Sequence, residues 1–212
     1  MKKFQLQALI ITVVLLNTVP RITNGAQIGD SIGPYKITNI TPVPGIPAVI
    51  STSDLVYANN SFYTLTYSSG QIVRLSKSGQ ILQTWQIPDL SQGPDLEIML
   101  GLAFDGTYFY TTARNQGASW RKLTLNSDSS VTVNLKKPWP TGSWPTDLTY
   151  ADGYLYFPDY LTNNHVAGSI TKVNPADLTV VQSFASPSYS IYGLAFDGTN
   201  LLANGVGNSG DW

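Results

Sequence analysis

Apolar and polar residues alternate in four short segments of the chain that share one pattern. The segments read DLVYANNSFYTL, GLAFDGTYFYTT, DLTYADGYLYFP and GLAFDGTNLLAN, and they begin at Asp54, Gly101, Asp147 and Gly193. Their starting points lie 47, 46 and 46 residues apart. Alternation with a period of two is typical of β-strands, and a fixed repeat of about 40–50 residues is typical of proteins built from equivalent β-sheet blades.

Each segment contains two strands joined by a tight turn. In the second copy, apolar Leu102 and Phe104 alternate with small residues and are followed by Asp105-Gly106. Asp-Gly favours a tight hairpin because glycine adopts the positive φ that such turns need. The same turn is expected in the other copies, at Asn59-Asn60, Asp152-Gly153 and Asp197-Gly198.

A second strand pair follows each of the first three segments. The predicted pairs are Gln71–Leu75 with Ile81–Ile87, Trp120–Leu125 with Val131–Leu135, and Ser169–Val173 with Thr179–Phe184. No stretch has helical periodicity with capping residues. The predicted fold is an all-β propeller of four-stranded antiparallel blades with a period of about 46 residues, with three full blades and a partial fourth.

The phrase GLAFDGT, followed by a pair of aromatic or aliphatic residues, resembles the repeat of secreted and periplasmic propellers of the NHL, YVTN and quinoprotein-like groups. The resemblance extends from about Ile40 to the end of the sequence. It implies the propeller fold. Because many activities share this repeat, it implies no single function.

The blade count predicts an incomplete ring. Tyr35–Ile40 matches the fourth strand of a blade, and the two strands from Gly193 onward begin a blade whose third and fourth strands are missing. We expect a fragment or truncated product of a longer propeller, or a ring completed by a partner. Open blade edges would favour self-association.

The N-terminal segment has the pattern of a secretory signal peptide. Lys2 and Lys3 precede an apolar run over Leu6–Val19, and small residues follow near Gly25. The run is shorter than the roughly 20 residues of a membrane span. We therefore expect a signal peptide over 1–25, a propeller domain over 26–212, secretion or a cell-envelope location, and no stable membrane span after cleavage.

Charge and cysteine content narrow the classes of partner. Without residues 1–25, nine basic and 13 acidic residues remain, a net charge of −4. Nucleic acid is not expected as a partner, because phosphate binding needs clustered Lys and Arg. The chain has no Cys, so the fold depends on its core and strand ladders rather than on disulfides.

Two acids begin alternate repeat units and are predicted to line the axis. Asp54 and Asp147 stand where Gly101 and Gly193 stand in the other units. One interpretation is a cation or polar-ligand site at the mouth of the channel, because hard cations prefer carboxylate oxygens. The other is a capping or turn role before the first strand of the blade.

The loops that share one face of the propeller hold the candidate ligand-binding residues. Trp139 and Trp144 lie in the predicted loop Lys136–Thr146, and Tyr189 and Tyr192 lie in the equivalent loop of the next unit. Stiff aromatic side chains suit sugar rings or peptide side chains when exposed. They would instead seal adjacent blades if they were buried.

Arg114 and His165 complete the candidate set. His165 is the only histidine and lies in an extended loop, where it would serve as a general acid or base or as an ordinary surface residue. Without Cys, a second His or a GxSxG motif, the sequence predicts no catalytic residue and no metal site, and it leaves any cofactor unknown.

We therefore predict an exported, non-catalytic propeller that binds an extracellular protein or glycan through its aromatic loops. The alternative is a propeller enzyme with only part of its site in this chain. The resemblance implies four enzyme types: lyase, hydrolase, glutaminyl cyclase or quinoprotein dehydrogenase.

Overall fold

The structure is a computed structural model of the chain. It describes residues 31–32, 35–36, 52–66, 69–88, 98–114, 119–139, 145–159, 169–185 and 190–206. All regular elements in these ranges are β-strands, and none of the described residues forms a helix. The predicted signal peptide lies outside the described residues.

A two-residue hairpin precedes the blades. Strand β1 (Ser31–Ile32) pairs antiparallel with β2 (Tyr35–Lys36). The fourth strand that the sequence predicts over Tyr35–Ile40 is thus described only at its start. Among the described residues this start pairs with β1 rather than with a blade.

Three four-stranded antiparallel sheets and one two-stranded sheet follow in the described residues. Blade 1 contains β3 (Thr52–Ala58), β4 (Ser61–Thr66), β5 (Gln71–Leu75) and β6 (Ile81–Gln86). Blade 2 contains β7 (Ile98–Phe104), β8 (Phe109–Arg114), β9 (Ser119–Leu125) and β10 (Val131–Pro138). Blade 3 contains β11 (Thr149–Ala151), β12 (Tyr154–Asp159), β13 (Ser169–Asn174) and β14 (Thr179–Ala185). Blade 4 contains β15 (Ser190–Phe196) and β16 (Leu201–Val206).

The predicted architecture is confirmed: each full blade is an antiparallel meander, and the sheets do not close into a ring. Among the predicted outer strands, β10 differs most from its predicted length. Strand β10 continues three residues beyond Leu135, because Lys136 to Pro138 keep pairing with β9 after a bulge at Val133–Leu135. The predicted loop Lys136–Thr146 therefore begins only at Trp139.

The hairpin turns are of two kinds, whereas the sequence suggested one. Asn59, Asn60 and Asp152 all have positive φ, in two-residue turns. In blade 2, Asp105 is not at positive φ and caps a four-residue loop, where its Oδ1 accepts hydrogen bonds from the amides of Thr107 and Tyr108 at 2.7 Å each. Asp197 caps the loop of blade 4 in the same way. Asp105 and Asp197 thus stand one position earlier in the repeat than Asp152. They cap a loop with their side chains, whereas Asp152 provides positive φ in a tight turn.

The apolar core lies between the blades. A first cluster joins blades 1 and 2, and its buried members are Ala58, Tyr63, Leu65, Ile72, Trp85, Ile87, Leu102, Phe109, Ala113 and Leu123. A second cluster joins blades 2 and 3, and its buried members are Ala103, Tyr110, Trp120, Trp139, Leu148, Leu155, Phe157, Val173 and Leu178. Blade 2 therefore buries one face against blade 1 and the other against blade 3.

Polar contacts also join consecutive blades, and they use the outer turn of the later blade. Trp85 in blade 1 donates its indole N–H to the carbonyl oxygen of Asn126 at 2.7 Å, in the outer turn of blade 2. Lys122 in blade 2 donates to the carbonyl oxygen of Pro175 at 3.3 Å, in the outer turn of blade 3. The outer turn of each later blade thus docks on the blade before it.

Candidate functional site at the propeller axis

The first strands of consecutive blades lie side by side. Strand β3 contacts β7, β7 contacts β11, and β11 contacts β15. This arrangement brings the first position of each repeat, occupied by Asp54, Gly101, Asp147 and Gly193, to the contacts between the first strands. Asp54 is partly buried there and Asp147 is only 8% exposed, and their predicted place at the propeller axis stays a prediction.

Each carboxylate serves two backbone amides, one in its own blade and one in the next. Asp54 accepts from the amide of Leu55 and, across the blade interface, from that of Leu102, both at 2.6 Å. Asp147 accepts from the amides of Leu148 at 2.8 Å and Leu194 at 2.5 Å. Two acids thereby satisfy four equivalent leucine amides. This explains why an acid is needed in only every second unit.

The glycines that alternate with the acids differ from each other in their surroundings. The amide of Gly101 donates to the side-chain hydroxyl of Thr112 at 2.9 Å. A Cβ at Gly101 would lie 2.6 Å from Leu148 and 2.7 Å from the carbonyl carbon of Asp147. The backbones of blades 2 and 3 can approach this closely only because Gly101 has no side chain.

The two carboxyl groups also hydrogen-bond each other, from blade 1 to blade 3. Burial raises the pKa of Asp54 well above its ordinary value, and the negative charge and hydrogen bond of Asp147 raise it further. Burial raises the pKa of Asp147 as well, while the hydrogen bonds from Asp54, Leu194 and Leu148 act in the opposite direction. The pair therefore retains a proton at a pH where an exposed Asp has lost it, and the pKa is raised further at Asp54 than at Asp147.

This arrangement can hold blades together and can store one proton. Each of the four carboxylate oxygens already accepts a hydrogen bond from one backbone amide, and a cation would have to compete with these bonds. The described residues contain no group of three or more His, Cys, Asp or Glu side chains that could hold a metal ion. The cation interpretation of Asp54 and Asp147 gains no further ligand from the described residues and stays a prediction.

Trp139 requires a correction, because it is not an exposed platform. Only 8% of its surface is exposed. Its indole N–H donates to the carbonyl oxygen of Ala113 at 3.0 Å, and its ring packs edge-on against Trp120 at 4.9 Å and Phe157 at 5.0 Å between ring centroids. Trp139 thus seals blade 2 against blade 3, which is the second of the two roles considered for the aromatic loops.

Tyr192 lies in strand β15, one residue before Gly193, and not in the loop that the sequence predicted. It is the one candidate residue whose side chain the structure describes as exposed, at 53%. The side chains of Arg114, Trp144, His165 and Tyr189 lie outside the described residues, and their predicted roles stay predictions.

Arg121 is a buried residue that the sequence analysis missed. It lies in β9 and is only 1% exposed. Its positions in the strand ladders match those of Val73 in blade 1 and Thr171 in blade 3, which are also buried. The sequence did carry a signal for this residue, because a charged arginine stands at a repeat position where the other blades have Val73 and Thr171. Arg121 lines a cavity of about 10 Å³, which is the size of a single water molecule and too small for an organic ligand.

In the ranges that the structure covers, no helix has the length and apolar character needed to cross a membrane. This result does not bear on the apolar run near the N-terminus, which lies outside those ranges.

Solved structures similar to this chain are β-propellers. Glutaminyl cyclase of Myxococcus xanthus matches 73% of this chain and 61% of its own with a TM-score of 0.55 and 20% identity. A streptogramin B lyase matches 84% of this chain and 55% of its own with a TM-score of 0.51 and 18% identity. The chain therefore spans less than two thirds of either structure. At these identities the likeness shows the fold alone.

Among proteins with curated descriptions, none is similar enough to count as a relative. A family model described as "Repeat of unknown function (DUF6923)" matches residues 48–211, which include all four blades. The chain therefore belongs to the DUF6923 repeat family of β-propeller proteins.

Proposed function

We propose that this chain is an exported, non-catalytic propeller that binds an extracellular protein or glycan on its loop face, at an aromatic surface around Tyr192. The observation that carries the proposal is the 53% exposure of Tyr192, next to Gly193. An exposed, rigid aromatic ring is a contact surface for sugar rings and for apolar peptide side chains.

Two further observations support a binding role over a catalytic one. The axial carboxylates are engaged by four backbone amides, and the described cavity beside Arg121 admits no substrate. The basic start and apolar run of the N-terminus support export, since they have the order of a signal peptide.

The binding proposal is tested with the double variant Tyr192→Ala, Trp144→Ala on glycan and peptide arrays. We expect at least about tenfold weaker capture, because removing an aromatic contact commonly costs more than about 1.4 kcal/mol. Phe184→Ala is the matched control, since Phe184 is an exposed aromatic residue (40%) on the outer strand β14. Capture that is unchanged in the double variant, with unchanged far-ultraviolet circular dichroism, would reject the loop face as the binding surface.

The enzymatic alternative rests on the proton that the Asp54–Asp147 pair retains, because a carboxylic acid of raised pKa is suited to general acid catalysis. Glutaminyl cyclase is one of the similar solved structures. Ammonia release from a peptide with N-terminal glutamine, lost in Asp54→Asn, would favour this alternative over binding. Absence of release by the wild-type chain would count against this particular reaction.

A further inference from the structure

Two blade faces in the described residues carry exposed apolar side chains where a neighbouring blade would pack. The leading face of a blade is the one that packs against the preceding blade, and the trailing face is the one that packs against the next. The leading face of blade 1 presents Leu55 and Tyr57, which are 43% and 53% exposed. The trailing face of blade 4 presents the cross-strand pair Ala195 and Leu202, and Leu202 is 52% exposed. These side chains are much more exposed than the residues at the same repeat positions between other blades.

The positions equivalent to the leading face are buried at the internal interfaces. Leu102 is the counterpart of Leu55; it is 1% exposed and packs in the cluster between blades 1 and 2. Phe104, the counterpart of Tyr57, packs against the same cluster. Leu148 repeats the contact between blades 2 and 3. The leading face of a blade is therefore built to be covered by the trailing face of another.

The positions equivalent to the trailing face are buried as well. The cross-strand pair Val56–Tyr63 belongs to the cluster between blades 1 and 2, and Ala103–Tyr110 belongs to that between blades 2 and 3. Ala195–Leu202 is the same pair in blade 4. It is smaller than its counterparts, so it leaves more room for an aromatic residue such as Tyr57.

Gly193 indicates which kind of blade the trailing face accepts. The place where a Cβ would lie at Gly101 is occupied by the backbone of Asp147 and Leu148 at 2.6–2.7 Å. At Gly193 the nearest atoms are a Cβ of Asn204 and an oxygen of Asp147, both at 3.8 Å. A depression of about 270 Å³ lies here, lined by Gly193, Leu194 and Leu202 among others. The space that an Asp-Leu pair fills beside Gly101 is thus open beside Gly193.

The chain itself carries an Asp-Leu pair on an uncovered leading face, namely Asp54-Leu55. We infer that a second copy of this chain occupies the trailing face of blade 4 with the leading face of its blade 1, in a head-to-tail junction. In that junction Gly193 of one copy lies against Asp54-Leu55 of the other, as Gly101 lies against Asp147-Leu148 within the chain. Because Asp54 already serves the amide of Leu55, the junction leaves no leucine amide without an acceptor. The interface is heterologous, since two different surfaces meet.

The test uses two single variants and their mixture in sedimentation velocity. The wild-type chain is expected to self-associate. Leu55→Arg removes the leading face and Leu202→Arg the trailing face, and each variant alone should associate at least about tenfold more weakly because an unpaired charge would be buried in the junction. An equimolar mixture should form a one-to-one dimer, since Leu55→Arg keeps its trailing face and Leu202→Arg keeps its leading face.

Leu82→Arg is the matched control. Leu82 is 51% exposed, but it lies on the outer strand β6, away from the strands β3, β15 and β16 that carry the residues of the proposed junction. This variant should associate like the wild-type chain. The inference is overturned if the wild-type chain is monomeric at all concentrations or if the two variants stay monomeric when mixed. It is also overturned if the Leu82→Arg chain associates as weakly as the Leu55→Arg and Leu202→Arg chains. The first of these results is also the one expected if the two faces meet within a single chain.

Discussion

Gly101 and Gly193 occupy the same position of the repeat, yet only one of them is required by close contact. Backbone atoms of blade 3 lie within 2.7 Å of the place where a Cβ would be at Gly101, whereas Gly193 has 3.8 Å of clearance. Neither residue has a positive φ, so the difference between them is one of space and not of backbone strain. The same amino acid at equivalent positions of a repeat can therefore be present for different physical reasons.

Gly101→Ala should destabilise the fold by about 1–3 kcal/mol, because the methyl group meets backbone that cannot move aside without separating blades 2 and 3. Gly193→Ala should change the free energy of unfolding by less than about 0.5 kcal/mol. Urea unfolding followed by tryptophan fluorescence measures both. Equal losses in the two variants would contradict the contact described at Gly101.

The hairpins are the elements in which sequence and structure differ most. Asp105 caps its loop and also accepts the hydroxyl of Tyr110 at 2.7 Å, whereas Asp152 adopts positive φ in a two-residue turn. Burial acts to raise the pKa of Asp105, but the hydrogen bonds from Tyr108, Tyr110 and Thr107 outweigh it and lower the pKa. Two similar Asp-Gly pairs thus stabilise their hairpins by different means.

Asp105→Ala should therefore cost about 1–3 kcal/mol, since it leaves two loop amides without their side-chain acceptor and leaves the hydroxyl of Tyr110 with only the carbonyl oxygen of Pro175, at 3.4 Å. Asp152→Gly should be close to neutral, because glycine adopts the same positive φ without strain. Thermal unfolding of the two variants beside the wild-type chain measures the difference. A loss at Asp152 as large as that at Asp105 would show that the two turns are equivalent after all.

Strand existence was predictable from the sequence because alternation and turn residues are local signals. Gln71–Leu75 was predicted with the observed bounds, and most other strands were within one or two residues. The burial of Trp139 was not predictable, since it depends on β10 continuing past a bulge to Pro138 and placing the ring between two blades. The sharing of each carboxylate between two blades was also hidden, because its partners lie 47 or 48 residues away.

At the scale of the whole molecule, the Asp54–Asp147 pair links blade 1 to blade 3 and makes the stability of the chain depend on pH. Both groups have raised pKa values in the folded state, so the folded chain binds the proton more tightly than the unfolded chain, in which Asp titrates near about 4. Their stabilising contribution is complete below that pH and is lost as the pH rises through the folded-state pKa of Asp54.

The free energy of unfolding of the wild-type chain minus that of Asp54→Asn should therefore fall as the pH rises above about 4. Asp128→Asn is a control of opposite sign. The pKa of Asp128 is lowered by hydrogen bonds from the hydroxyl and amide of Ser130, so its contribution is present above the unfolded-state pKa and is lost on acidification. Denaturant titrations at several pH values measure both differences. A difference for Asp54→Asn that does not vary with pH would exclude a shared proton.

The sharing of each acid by two leucine amides also constrains how such a chain can gain or lose length. Removing one blade would bring two glycine units or two aspartate units together. In the first case a leucine amide would lose its acceptor, and in the second two charges would compete for one amide. Removing or adding blades in twos preserves every pairing. We therefore expect such chains to gain or lose repeats as pairs of blades of about 93 residues, the distance from Asp54 to Asp147. Propellers built from this repeat should accordingly have an even number of blades.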